Sequence, residues 1–97
     1  MARVVYSANA LDNIERVLEF LAKESPRTVP DASRAIQSAI TMLETHPLIG
    51  RRIHDELREL VISYGRTGYV ALYRYIAHRD EVRVLALKHQ RELDYPD

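Results

Sequence analysis

Gly65-Arg66-Thr67-Gly68, then Tyr69-Val70-Ala71-Leu72-Tyr73-Arg74-Tyr75-Ile76, then Val82-Arg83-Val84-Leu85-Ala86-Leu87-Lys88-His89-Gln90-Arg91-Glu92 is the stretch that decides the fold. It holds two runs rich in β-branched and aromatic residues, each introduced by a polar turn cluster, and such runs read as strands. A third run, Arg58–Tyr64, precedes them. The three are joined only by Gly65–Gly68 and by His78-Arg79-Asp80-Glu81, and connections this short make an antiparallel meander. Side-chain alternation sorts the strands into two faces. Leu60, Ile62, Tyr64, Tyr69, Ala71, Tyr73, Tyr75, Val82, Val84 and Ala86 form a charge-free face suited to covering by helices. Val61, Ser63, Val70, Leu72, Arg74, Ile76, Arg83, Leu85, Leu87 and His89 form the other face. It mixes aliphatic groups with arginine, as a surface awaiting a partner does.

Upstream, Arg3–Tyr6 reads as a short strand, and Ser7 as the N-cap of a helix from about Ala8 to Lys23. Leu11, Ile14, Leu18 and Leu21 recur at the three-and-four spacing of one helical stripe, with Asp12, Glu15, Arg16, Glu19 and Lys23 on the wet side. Pro26 biases Ser25 away from helical geometry and ends the helix. A second helix opens near Thr28 and Pro30, carries the stripe Ala32, Ala35, Ile36, Ala39, Ile40 and Leu43, and stops at His46-Pro47. The short link makes the two helices an antiparallel hairpin. Leu48 to Leu57 reads as a loop. The expected fold class is therefore α+β: an N-terminal strand and a two-helix hairpin packed on a mostly antiparallel sheet of about four strands, in a single domain over residues 1–97.

The charge balance narrows the partners. Fourteen basic and fourteen acidic residues cancel, yet residues 49–91 carry nine basic against five acidic groups. A net-neutral chain is a poor general nucleic-acid binder, because that affinity rests on neutralising phosphates. A protein partner, or one specific nucleic-acid site, fits better. Cysteine is absent, which excludes disulfides and thiolate metal sites. No apolar run is long enough for a bilayer span and no signal pattern opens the chain, so a soluble, cytoplasmic protein is expected. His46, His54, His78 and His89 lack metal-ligand spacing, no serine sits in a nucleophile context, and the glycines do not form a phosphate loop, so no cofactor or metal is called. Tyr64, Tyr69, Tyr73 and Tyr75 read either as core residues with hydroxyls at the rim or as a base-stacking platform. Arg51-Arg52 reads as a solvated pair or a grip on a partner.

The element order, together with His46-Pro47-Leu48-Ile49-Gly50-Arg51 after the second helix, Leu57-Arg58-Glu59-Leu60, Gly68-Tyr69 opening a strand with Leu72-Tyr73-Arg74, and a closing His89-Gln90-Arg91, resembles the RelE/ParE superfamily of bacterial toxins. The resemblance implies the toxin half of a type II toxin–antitoxin pair, held inactive by a small antitoxin whose C-terminal segment wraps it. RelE-like members cut mRNA on the ribosome with lysines on the first meander strand and an arginine after the Gly-Tyr pair. Those positions fall here at Val61, Ser63 and Val70, which can neither stabilise a pentavalent phosphate nor move a proton. For a nuclease, His89 or Arg91 with Tyr95 would fill only the remaining roles. The resemblance therefore favours the ParE-like branch, whose members inhibit DNA gyrase by binding, over the alternative of a ribosome-dependent mRNA endonuclease. A non-toxic interaction domain on the same fold is the third reading. Expected antitoxin contacts are Val61, Val70, Leu72, Arg74, Leu85 and Leu87. Expected target contacts are Arg83, His89 and Arg91.

Overall fold

A computed structural model describes residues 1–64 and 67–90. The elements are β1 (Arg3–Tyr6), α1 (Ala8–Glu24), α2 (Val29–Met42), β2 (Arg51–His54), β3 (Leu57–Tyr64), β4 (Thr67–Ile76) and β5 (Glu81–His89). They build one sheet in the order β1-β5-β4-β3-β2, parallel between β1 and β5 and antiparallel elsewhere. The two helices lie on one face, α1 along β5 and α2 along β3.

Local chemistry sets the helix ends. The Ser7 hydroxyl accepts from the Ala10 amide at 3.0 Å, which satisfies one of the orphan donors of the first turn. The Ser25 amide closes α1 on the Leu21 carbonyl, and Pro26–Thr28 turns the chain in a short 3-10 segment into α2. The alanines of the apolar stripes earn their place by size. Ala10 and Ala32 are fully buried and let the helices approach the sheet, where Ile36, Ile40 and Leu43 meet Leu60, Ile62, Tyr69, Tyr73, Val82 and Val84 in the core. Burying each such aliphatic side chain contributes about 1.5–3 kcal/mol.

Two features differ from the sequence expectation. The first is a fifth strand, because Arg51–His54 pairs antiparallel with β3 where a loop was expected. All four of its residues are exposed, so no apolar alternation betrays it. What holds it is the ladder, the Arg51 guanidinium on the Glu59 carboxylate, and Arg52 Nε donating to the Asp55 carbonyl at 2.7 Å across the turn, where Asp55 has φ 48°.

The second is a bulge in β5. Tyr73 pairs with Val84 but Leu72 pairs with Ala86, so Leu85 is an extra residue and every later side chain changes sides. Leu87, expected on the open face, sits 2% exposed in the core opposite Ala71, and Ala86 takes the open side opposite Leu72. The cause is tertiary. Ser7 Oγ and Asn9 Nδ2 both donate to the Leu85 carbonyl, at 3.1 and 3.0 Å, and the Leu87 amide donates to Asn13 Oδ1 at 3.0 Å. The start of α1 thus supplies the hydrogen bonds that β1, which ends at Tyr6, no longer gives to β5.

Candidate functional site: the open face of the sheet

The helices cover one face, and among the described residues no second layer covers the other. Its side chains fall into rows set by strand register. Val61, Val70 and Lys88 form one row; Glu59, Leu72 and Ala86 the next; Leu57, Arg74 and Arg83 the third; Ile76, Glu81 and Arg3 the last. The middle is apolar: Val70 is 1% exposed and Leu72 half-buried, while Val61 stays 53% exposed at the margin. Cations ring it.

Glu81 is buried at 2% exposure and is held by Arg3 at 2.8 Å and Arg83 at 2.7 Å. The two guanidiniums that hold it are themselves partly solvated. The hydrogen bond from Arg3, then that from Arg83, holds its carboxyl below the ordinary carboxylate value of 4.5. The group therefore adds stability that is fully present above that value and is lost as pH falls through its lowered folded-state pKa. Glu81→Gln should lower the urea midpoint at pH 7, and the gap to the parent should narrow as pH falls below 4.5 and through the lowered folded-state pKa, where both proteins come to carry a neutral group. A gap independent of pH would show that the ion triad does not bridge β1 to β5.

Arg83 is thereby committed to a carboxylate of its own chain. Arg74, its register partner across the ladder, is exposed and has no ion-pair partner among the described residues. Of the expected antitoxin contacts, Val61, Val70, Leu72 and Arg74 do share the open face. Leu87 is removed to the core, and Leu85 is the bulge residue whose carbonyl is bound by α1.

The C-terminal set does not come together as one surface. Two-residue spacing was expected to keep Arg83 and His89 on one side, but the bulge places Arg83 opposite Arg74 on the open face and His89 opposite Tyr69 on the helix side. The His89 ring meets the edge of Tyr69 at 5.5 Å. Arg91 and Tyr95 lie outside the described residues. For phosphodiester cleavage, an acid or base and a phosphate clamp must face one substrate. Val61, Ser63 and Val70 offer neither, and His89 and Lys88 point to opposite faces.

The tyrosines are core residues rather than a platform. Tyr69 and Tyr73 are 2% and 0% exposed, and burial pushes both hydroxyls above their ordinary pKa. Tyr64 donates to the Thr28 carbonyl at 3.2 Å and Tyr75 to Asp80 at 2.7 Å. Among the described residues no cluster of three or more His, Cys, Asp or Glu gathers as a metal site, and no helix is long and apolar enough to cross a membrane. The polar pair Asn9 and Asn13 escaped sequence reading. Its signal was two asparagines one turn apart in a helix they do not favour, a placement that implies a backbone to bind.

Residues 4–94 match the family model described as the ParE toxin of the type II toxin–antitoxin system parDE. The chain is 29% identical over 92 residues to toxin RelE3 of Caulobacter vibrioides, covering 95% of this chain and 98% of that one. It is 27% identical over 73 residues to toxin RelE1 of the same organism, covering 75% and 78%. The fold resembles a chain of the chromosomal ParDE system from P. aeruginosa, with a TM-score of 0.76 at 16% identity over 92% of this chain and 96% of that one. It also resembles a chain of the RelBE2 toxin–antitoxin complex from Mycobacterium tuberculosis, with a TM-score of 0.59 at 24% identity over 92% and 98%.

Proposed function

Because the chain belongs to the ParE toxin family of type II toxin–antitoxin systems, we propose that it arrests growth by binding DNA gyrase rather than by cutting RNA, and that a cognate antitoxin silences it across the open face of the sheet. The observation that carries the first half is the chemistry of three positions. Val61, Ser63 and Val70 stand where RelE-like nucleases place cations, and Val70 is 1% exposed between Val61 and Lys88. Without those charges a phosphoryl-like transition state loses its largest stabilising interaction. Inhibition by binding needs no such groups. Curated relatives carry RelE names, which keeps mRNA cleavage as the second reading, with His89, Arg91 and Tyr95 as its residues.

The second half rests on the face itself. An apolar centre that includes Leu72 and an exposed Arg74 without a carboxylate fits an antitoxin segment that brings aliphatic side chains and an acidic group. The two solved structures of this fold described above come from toxin–antitoxin systems. Both partners would place the protein's action in the cytoplasm.

Purified protein should block supercoiling of relaxed plasmid by gyrase and release that block when the antitoxin is added. Supercoiling that proceeds at the same rate with and without an excess of the protein would defeat the gyrase reading.

A further inference from the structure

The loop between α2 and β2 is fixed from every side, yet it holds its aliphatic side chains in water. The amides of Leu43, Glu44, Thr45 and His46 bond back to the last carbonyls of α2, and the Ile49 amide closes a turn on the His46 carbonyl at 3.1 Å. The buried Tyr73 hydroxyl accepts from the Gly50 amide at 2.8 Å. One nitrogen of Arg58 donates to both the Leu48 and the Gly50 carbonyls, at 3.1 and 2.9 Å. A Cβ at Gly50 would stand 2.6 Å from the Tyr73 ring, so the close approach needs glycine.

Out of this frame project Leu48 at 57% exposure and Ile49 at 52%, with Ile53 at 41% further along β2. Exposed aliphatics scattered singly mean little, but two side by side on one hydrogen-bonded turn, with a third on the strand that follows, are a preorganised contact, since docking them has little left to order. Leu48 and Ile49 share a shallow depression with His46, Pro47 and Tyr75. Tyr75 belongs to the helix-facing row, so the depression does not open on the face assigned to the antitoxin.

The rim is cationic. Arg51 is 76% exposed, and Arg52 is bonded through Nε to a backbone carbonyl, which leaves its charge without a carboxylate partner among the described residues. Glu59 answers Arg51 and Asp55 lies beside His54, so Arg52 is the charge that invites an outside carboxylate.

We infer that the loop from His46 to Ile53 is the surface with which this toxin grips its cellular target, a protein presenting an apolar cleft edged by carboxylates. The inference rests on the toxin reading, not on gyrase being the target. It moves target contact away from Arg83 and His89, which the bulge has separated.

The test is expression of a Leu48→Ser/Ile49→Ser variant in a bacterial host, beside the parent at equal levels. Viable counts after induction should rise at least tenfold over the parent, while the thermal midpoint and the affinity for antitoxin stay unchanged. Arg52→Glu should give a partial loss of arrest in the same assay. Growth arrest equal to the parent's would overturn the inference. So would a matching loss of antitoxin affinity, which would make the antitoxin the occupant, or a parent dimer that the variant dissolves, which would make a second copy the occupant. If the double variant folds poorly, Leu48→Glu alone, at the more exposed position, is judged by the same outcomes. Should arrest depend on Leu48 and Ile49 while gyrase is untouched by the parent, the docking loop stands and the gyrase assignment falls.

Discussion

Leu72→Asp should weaken binding of the antitoxin by about 2 kcal/mol or more, roughly thirtyfold, while leaving the free protein folded. Leu72 lies at the centre of the open face, between Glu59 on β3 and Ala86 on β5, and it is half-buried without a partner. An aspartate there remains hydrated in the free chain. Once an aliphatic segment covers it, the carboxylate is taken out of water with Glu59 as its ladder neighbour. The companion change Arg74→Ala should cost less, because it removes an attraction at the margin without burying a charge. Calorimetric titration of both variants with antitoxin gives the order directly. Equal affinities for parent and Leu72→Asp would show that the antitoxin uses another face.

Tyr73→Ala should cost about 3–5 kcal/mol of folding stability, the range for deleting a buried aromatic ring. Tyr73 is fully buried, belongs to the core shared by the helices and the sheet, and holds the Gly50 amide through its hydroxyl. Two milder variants separate its roles. Tyr73→Phe keeps the ring and strands the Gly50 amide in a buried site, at about 1–3 kcal/mol. Gly50→Ala keeps the tyrosine but drives a methyl group toward its ring and toward the Glu59 carbonyl, at about 1–3 kcal/mol of overpacking. Urea unfolding of the three variants measures these differences. A Tyr73→Phe protein as stable as the parent would mean that the hydroxyl does not anchor the loop.

How far this chain could be read before folding depended on where each element draws its stability. The helices were legible because their information is local: Ser7 caps, Pro26 stops, and Ile14, Leu18 and Leu21 repeat on the expected stripe, although Leu11, at the start of that stripe, is 55% exposed and Val17 packs on the core beside Ile14. The meander was legible because Tyr69, Ala71 and Tyr73 alternate with Val70, Leu72 and Arg74. Arg51–His54 was not, since an edge strand with every side chain exposed carries no apolar pattern and forms through its ladder and through Glu59, eight residues away. The bulge at Leu85 was hidden for the same kind of reason. Nothing in Val84-Leu85-Ala86 announces it; Ser7, Asn9 and Asn13 create it from more than seventy residues away. Because a strand repeats every two residues, that one insertion moved Leu87 into the core and put His89 and Arg83 on opposite faces. Of the six residues expected to share the open face, Val61, Val70, Leu72 and Arg74 lie on it, whereas the bulge takes up Leu85, turns Leu87 into the core and separates Arg83 from His89, a strand geometry that could not be seen in sequence.

The central claim is that this toxin arrests cells without cutting RNA, and a single induction experiment reads both activities at once. Cells are sampled within minutes of expression, plasmid topology is resolved on chloroquine gels, and mRNA 5′ ends are mapped across translated genes. With uncharged Val61, Ser63 and Val70 at the positions where the resemblance to RelE-like nucleases expects cations, the proposal predicts that plasmids lose negative supercoils while the 5′ ends match those of uninduced cells. New 5′ ends in codon phase, with supercoiling unchanged, would contradict it.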